Sequence, residues 1–303
     1  MSRVLLVTGG GRGIGAATCL LAAQRRYAVA VNYHANSLAA DEVVRQIRAG
    51  GGRAIAVQAD VADEAQVLRL FEQVDAKLGR LDALVNNAGV VDVAQRVDEM
   101  SVARWQRMFN TNVIGSMLCA REAVRRMSTR HGGSGGAIVN VSSVAAKLGS
   151  AGQYVDYAAS KGAIDTFTLG LAHEVATEGV RVNAVRPGII DTEIHASGGQ
   201  PDRAQRLSHL VPMKRPGTAQ EIAAAIRFFA AMDEAGLEAW SRGARAYAGD
   251  LMLTAIEIGA MDRTGVDFDP LDGEPDAALT SYIRREIIAL PGLSEPEAVR
   301  HYT

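Results

Sequence analysis

The chain has 303 residues, of which 48% are hydrophobic and 22% charged. Lys and Arg total 32 against 34 Asp and Glu, a net charge of −2, so there is no electrostatic case for nucleic acid or an anionic membrane as partner. The apolar share argues against disorder, and no apolar run approaches the roughly 18 residues of a membrane span.

The first strand is predicted over Val4–Val7, too short for the apolar core of a signal peptide, and the expectation is a cytoplasmic protein. A helix at Gly13–Gln24 follows, then strand Ala28–Asn32, helix Leu38–Ala49, strand Arg53–Gln58, helix Glu64–Leu78 and strand Ala83–Asn86. A long helical pattern covers Ser101–Met127, then a glycine-rich loop, strand Ala137–Val141, helix Tyr157–Glu178 and strand Val180–Val185. The apolar strands barely alternate, as in a sheet buried on both faces. Six β/α alternations therefore predict an α/β fold, a parallel sheet flanked by helices. Residues 187–217 read as a long irregular segment with one short helix, of the kind that forms lids and binding loops. Thr218–Ala231 resumes as a helix. The predicted division is a domain over 1–231 and an atypical extension over 232–303, with helical stretches at Leu237–Ile258 and Ala277–Ile288. Cys19 and Cys119 fit reduced, buried thiols, and no His/Cys/carboxylate set has metal spacing.

The first strand runs into Thr8-Gly-Gly-Gly-Arg-Gly-Ile-Gly15, where a helix starts. Glycines at such a turn allow tight dihedrals and bring main-chain N–H groups to a phosphate at the positive helix end. The spacing from Gly9 to Gly13 and Gly15 differs from the commoner G-x-G-x-x-G, but its place in a βαβ unit points to a dinucleotide. The second strand ends in Asn32-Tyr33-His34, with no acid before Asp41 to bind an adenosine ribose. Arg12 lies within reach of a 2′-phosphate, and His34 offers a second donor. This favours NADP, with NAD left open.

Tyr157-Ala-Ala-Ser-Lys161 sets a phenol and an ammonium at i and i+4, on one helix face. A free tyrosine has a pKa of about 10. An ammonium about 4 Å away at an effective dielectric of 20 contributes on the order of 4 kcal/mol, which predicts a phenol shifted down toward neutral pH as a general acid/base. Tyr154 is a competing phenol without a lysine at i+4. Asn140-Val-Ser-Ser143 ends the fifth strand, where parallel sheets bind ligands. The alternative reading of each motif is bland: a flexible turn, a surface pair, a serine-rich loop.

In this order, Thr8–Gly15, Asp60-Val61, Asn86-Asn-Ala-Gly89, Asn112, Ser143, Tyr157/Lys161 and Pro187-Gly-Ile-Ile-Asp-Thr192 resemble the short-chain dehydrogenase/reductase family over residues 1 to about 230. Within the family it looks like the members near glucose 1-dehydrogenases and 3-oxoacyl carrier-protein reductases. The resemblance implies a Rossmann-type doubly wound parallel sheet and an NAD(P)-dependent oxidoreductase for a small carbonyl or alcohol substrate. It assigns proton transfer to Tyr157. Lys161 would bind the nicotinamide ribose and acidify the phenol, Ser143 would hold the substrate oxygen, and Asn112 would support a relay water. Asp60 and Val61 would meet the adenine, and Asn87, Ala88 and Gly89 would line the cofactor. Pro187 and Gly188 would lead to Ile190 and Thr192 at the carboxamide. It also implies a homo-oligomer, dimer or tetramer.

Two departures stand out. Ser143 lies 14 residues before Tyr157, one more than the family's usual spacing, which implies an insertion near Tyr154-Val-Asp and keeps Ser142 as the alternative hydroxyl. The family's seventh strand, with its Thr-Gly opening, is not found in 232–303; Leu251–Ile258 suits either strand or helix. In the family that strand supports one sheet edge and a subunit interface, so its absence bears on whether the oligomer is a dimer or a tetramer. A rival of another class is an NADP-binding regulatory or scaffold protein without turnover. His195 reads either as substrate-facing or as an exposed loop residue.

Overall fold

The computed structural model describes residues 2–231; the expectations for 232–303, tail helices and seventh strand included, lie outside the described residues. The β-branched runs form β1 (Val4–Val7), β2 (Ala28–Tyr33), β3 (Ala54–Gln58), β4 (Ala83–Asn86), β5 (Gly136–Val141) and β6 (Val180–Val185). Their order is β3-β2-β1-β4-β5-β6, and every pair is parallel. The chain winds outward from β1 to β3, then returns to β4 beside β1. That reversal makes a crevice at the carboxyl ends of β1 and β4, where open α/β sheets place their ligands.

Helices α1 (Gly13–Gln24), α2 (Ser37–Ala49) and α3 (Glu64–Leu78) form where apolar residues recur at helical spacing. Asn36 and Asp63 cap α2 and α3 by accepting from Ala39 N and Gln66 N, as short polar side chains do at helix starts. Val4, Leu6, Ala30, Leu84 and Ile138 bury one sheet face against Leu70 and Phe71 of α3 and against Cys119 and Met127. On the other face Gly10 lies so close to Cys19 of α1 and Val31 of β2 that a Cβ would sit 3.0 and 3.1 Å from their side chains.

The long helix expected over Ser101–Met127 is broken. It divides into α4 (Val102–Phe109), a π turn (Asn110–Ile114) and α5 (Gly115–Met127). Such turns insert where a side chain is needed off the regular helical face. Here it is Asn112, whose amide reaches the chain after β4. Further on come α6 (Ala145–Leu148), which no periodicity signals, and α7 (Val155–Val175), which starts two residues before Tyr157. The 187–217 segment holds two short helices rather than one, α8 (Ile194–Ser197) and α9 (Arg203–Arg206), before α10 (Ala219–Ala231). A buried polar ladder joins the layers: Asn86 Nδ2 donates to Asn140 Oδ1 at 3.0 Å, and Asn140 Nδ2 to Thr168 Oγ1 of α7 at 2.8 Å.

Candidate active site

The glycine turn is fixed from below. Gly9 and Gly13 take φ of +61° and +51°, conformations that disfavour side chains. At Gly15 a Cβ would lie 2.3 Å from Gly9 O, so α1 can approach the turn only without one. Ile14 contributes its carbonyl to Thr18 Oγ1 at 2.7 Å. Asn32 is buried beneath the turn. Its Oδ1 accepts from Gly9 N at 3.2 Å and its Nδ2 donates to Val57 O and Ala59 O at 3.3 and 3.0 Å. The side chain expected to meet a cofactor is therefore committed within the protein and holds the turn in place. Arg12, the N-cap of α1, makes no side-chain cap, and the first turn carries no acid. That leaves the positive end of the helix suited to a phosphate.

Arg12, expected within reach of a 2′-phosphate, makes its side-chain hydrogen bond to α8. Its guanidinium donates to Ser197 Oγ of α8 at 3.3 Å. The Gly13 Cβ position is 3.4 Å from both Glu193 Oε2 and Thr192 Cβ, so the 192–197 segment lies across the mouth of the turn. Tyr33 ends β2 half-buried, and exposed His34 faces Asp60 at 3.7 Å. Asp60 also accepts from Ala62 N at 2.9 Å, and Val61 is buried where a Cβ on Gly115 would come within 2.8 Å of its Cγ2.

β1 and β4 are tied at the crevice. Thr8 Oγ1 accepts from the backbone N–H groups of Asn87 and Ala88, both at 3.0 Å, and Asn87 Nδ2 donates to Thr8 O and Gly9 O at 2.9 and 3.0 Å. Gly89 follows where a Cβ would stand 3.4 Å from Asn112 Oδ1 and 3.6 Å from Lys161 Nζ. Asn112 is buried; its Oδ1 accepts from Val90 N at 2.8 Å, and its Nδ2 donates to Val90 O at 3.0 Å and Ser160 Oγ at 3.1 Å. Both functions of the amide are thus used to hold the chain after β4 against α7.

Tyr157, Lys161 and Ser143 converge at the carboxyl end of β5. Lys161 Nζ lies 5.6 Å from the Tyr157 ring centroid and donates to Val141 O at 2.7 Å. Ser143 stands beside the Tyr157 phenol and draws its pKa down, while Ser142 turns inward and donates to Lys161 O at 3.2 Å. The two serines thus differ: Ser142 is committed to Lys161 O, and Ser143 is the one that acts on the phenol. The direction of the phenol shift corrects the expectation. Burial raises the Tyr157 pKa, and Ser143 offsets that only in part. Burial also pulls Lys161 down to about 8, against an upward pull from Asp165. Desolvation disfavours whichever form is charged, so it moves the two pKa values apart, the phenol's up and the ammonium's down. Tyr154 is accounted for otherwise: its hydroxyl accepts from Gln200 Nε2 at 2.8 Å, and Arg203 stacks 5.2 Å from its ring centroid.

Pro187 O accepts from Val144 N at 3.1 Å, which ties the end of β6 to the Ser143 segment. Around Gly188 a Cβ would meet nothing within 4 Å. Ile190 is buried, bridges to Gly217, and its carbonyl contacts His195 Nε2 at 2.8 Å. His195 is thus half-buried, and desolvation lowers its pKa.

Two buried ion pairs flank the site. Arg104 binds Asp156 with Nε and Nη2, at 2.7 and 3.1 Å, and Arg186 Nε binds Asp165 Oδ2 at 2.8 Å. Neither was visible in the sequence, because the partners stand 52 and 21 residues apart.

A short-chain dehydrogenase family model matches residues 3–202. The chain belongs to the short-chain dehydrogenase family. An uncharacterized oxidoreductase of Escherichia coli, YgfF, is 57% identical over 223 residues, 74% of this chain and 90% of the relative. A 3-oxoacyl-[acyl-carrier-protein] reductase of Synechocystis is 40% identical over 76% of this chain and 89% of its own length. Glucose 1-dehydrogenase 2 of Bacillus subtilis is 36% identical over 74% of this chain and 85% of its own. A solved mutant short-chain dehydrogenase/reductase of Serratia marcescens superposes with a TM-score of 0.69 at 34% identity, covering 75% of this chain and 90% of that one. As a short-chain dehydrogenase the protein is an oxidoreductase acting on CH–OH or carbonyl groups with NAD(P), built on a Rossmann-like fold. No helix among the described residues is long and apolar enough to cross a membrane.

Proposed function

We propose that this short-chain dehydrogenase is an NADP-dependent reductase of small carbonyl compounds in which Tyr157 is the general acid, with NAD as the weaker cofactor. The observation that carries the reading is the half-buried side chain of Tyr157 standing beside Ser143 and the Lys161 ammonium at the end of β5. With its pKa raised by burial, the phenol is protonated at neutral pH. That is the form needed to give a proton to a carbonyl oxygen as it becomes an alkoxide. Ser143 orients the same oxygen, and Lys161, charged below about 8, stabilises the phenolate left behind.

The residues present fit a dinucleotide. The acid-free N-terminus of α1 with its glycine turn suits a pyrophosphate, and Lys161 and Gly89 border the space beside Tyr157. When bound, the nicotinamide supplies or accepts the hydride. Thr8, Gly9, Gly13, Ile14 and Gly15 shape the phosphate turn, and Asn87 and Ala88 brace it. Asp60, Val61, Tyr33 and His34 lie toward the adenosine. Pro187, Gly188, Ile190 and Thr192 would border the nicotinamide end, and Asn112 holds the chain at Val90 in place against α7. The preference for NADP rests on the end of β2, where no carboxylate meets a ribose 2′-hydroxyl and Arg12 is the nearest cation on the turn.

The test is turnover of a panel (ethyl acetoacetate, glucose, acetoacetyl thioester) with NADPH and NADH, in wild type and Tyr157→Phe. Loss of turnover with NADPH binding retained is the expected result; equal activity in the two proteins refutes the assignment.

A further inference from the structure

The chain's extra residue between Ser143 and Tyr157 falls at the start of α7, where Asp156 turns inward while Tyr154 turns toward Gln200 and Arg203. Asp156 is buried and accepts three hydrogen bonds. Two come from the Arg104 fork, and one comes from the backbone N–H of Tyr157 at 2.9 Å. Arg104 is equally buried, with side-chain exposures of 5% and 2% for the pair. Its remaining donor, Nη1, reaches Val93 O at 2.7 Å and Gln95 Oε1 at 3.1 Å. Gln95 N in turn donates to Gln153 O at 2.9 Å. One guanidinium thus joins α4, the segment after β4 and the first turn of α7. That segment is itself a wall of the crevice, since Val91 Cγ1 lies 3.3 Å from the Cβ position at Gly198 and Val93 Cγ1 3.6 Å from that at Gly199.

A planar fork satisfied on both edges has one orientation, and a lysine cannot reproduce it. A buried ion pair adds little net stability over an apolar pair of the same shape, and its best-attested use is to specify a geometry. We infer that Arg104 and Asp156 are positioning residues that set the Tyr157 phenol against the wall formed by residues 90–95. The inference rests on the reading of Tyr157 as the proton donor. The clamp acts on the backbone N–H of Tyr157, so its loss displaces the phenol from Ser143 and Lys161 and leaves the phosphate turn, built from α1 and β2, as it was.

The variants are Arg104→Lys, Asp156→Asn and the double Arg104→Gln/Asp156→Asn, which retains polar partners and leaves no lone buried charge. Three quantities are read: kcat and KM for ethyl acetoacetate with NADPH over pH 5–9, NADPH affinity by fluorescence, and the [13Cζ]tyrosine resonance of Tyr157, assigned by its loss in Tyr157→Phe. The expected result in the double variant is a melting temperature near wild type, kcat lowered at least ~10-fold, NADPH affinity within ~2-fold, a displaced pH profile and a shifted Tyr157 resonance. A double variant with wild-type kcat and an unshifted resonance overturns the inference, as does full activity of Arg104→Lys. The resonance decides alone if the probe is not reduced. Undiminished turnover in Tyr157→Phe would instead sink the reading of Tyr157 and leave the clamp to be judged by the resonance.

Discussion

Lys161 Nζ donates to the carbonyl oxygen of Val141 at 2.7 Å, pinning α7 to the end of β5. The bond holds the ammonium at a depth where burial lowers its pKa to about 8, from 10.5 in the open chain. The unfolded chain therefore binds more protons at this site than the folded one between about pH 8 and 10.5, and the folded state gains stability as pH rises through that window. The Tyr157 shift acts the other way, but only where an unfolded tyrosine ionises, near pH 10 and above. In urea titrations, wild type should gain stability relative to Lys161→Met between pH 8 and 10, by an amount on the order of 3 kcal/mol or less. A flat difference across that range would contradict the burial of a titrating ammonium.

Tyr157→Phe removes the donor and leaves the glycine turn untouched. Turnover should fall by about 10²–10⁴-fold, with NADPH affinity measured by fluorescence within about 2-fold of wild type.

The two serines make a paired comparison. Ser143 acts on the phenol, and Ser142 bonds Lys161 O from the buried side. Ser143→Ala should lower kcat by roughly 10²-fold, as for loss of one positioned donor. Ser142→Ala should cost about 1 kcal/mol of stability and little of kcat. Steady-state kinetics beside thermal melts separates them.

Gly15→Ala forces a Cβ to within 2.3 Å of Gly9 O, a backbone atom that cannot rotate away. The variant should lose about 1–3 kcal/mol and its dinucleotide binding together, read by a lower Tm and a flat NADPH fluorescence titration.

Arg12→Ala tests cofactor choice. If the guanidinium leaves Ser197 for a 2′-phosphate, NADPH affinity should drop about 10-fold and NADH affinity should hold. Equal losses for both cofactors would assign Arg12 to closing the 192–197 segment instead.

The strands and most helices were legible because each is a local pattern: β-branched runs between turn signals, and apolar residues at helical spacing. The Thr8–Gly15 turn and the Tyr157/Lys161 pair were legible for the same reason, since a turn and an i, i+4 pair are short-range facts. The break at Asn110–Ile114 was not, because the π turn follows from Asn112 bonding Val90, 22 residues earlier in the chain. The direction of the Tyr157 shift was misjudged because spacing says how near a charge lies and nothing of how dry the site is.

Local order along the chain was enough to specify a parallel α/β sheet, a glycine turn after β1 and a phenol and ammonium on one face of α7, each set by residues within a few positions of one another. Long-range packing was needed to put Asn32 under the turn, bring Arg12 to α8, turn Ser142 inward to Lys161 O and clamp Asp156 with Arg104. Those depend on which distant segments the sheet brings together and on the water that packing removes, and neither quantity is written in local order along the chain.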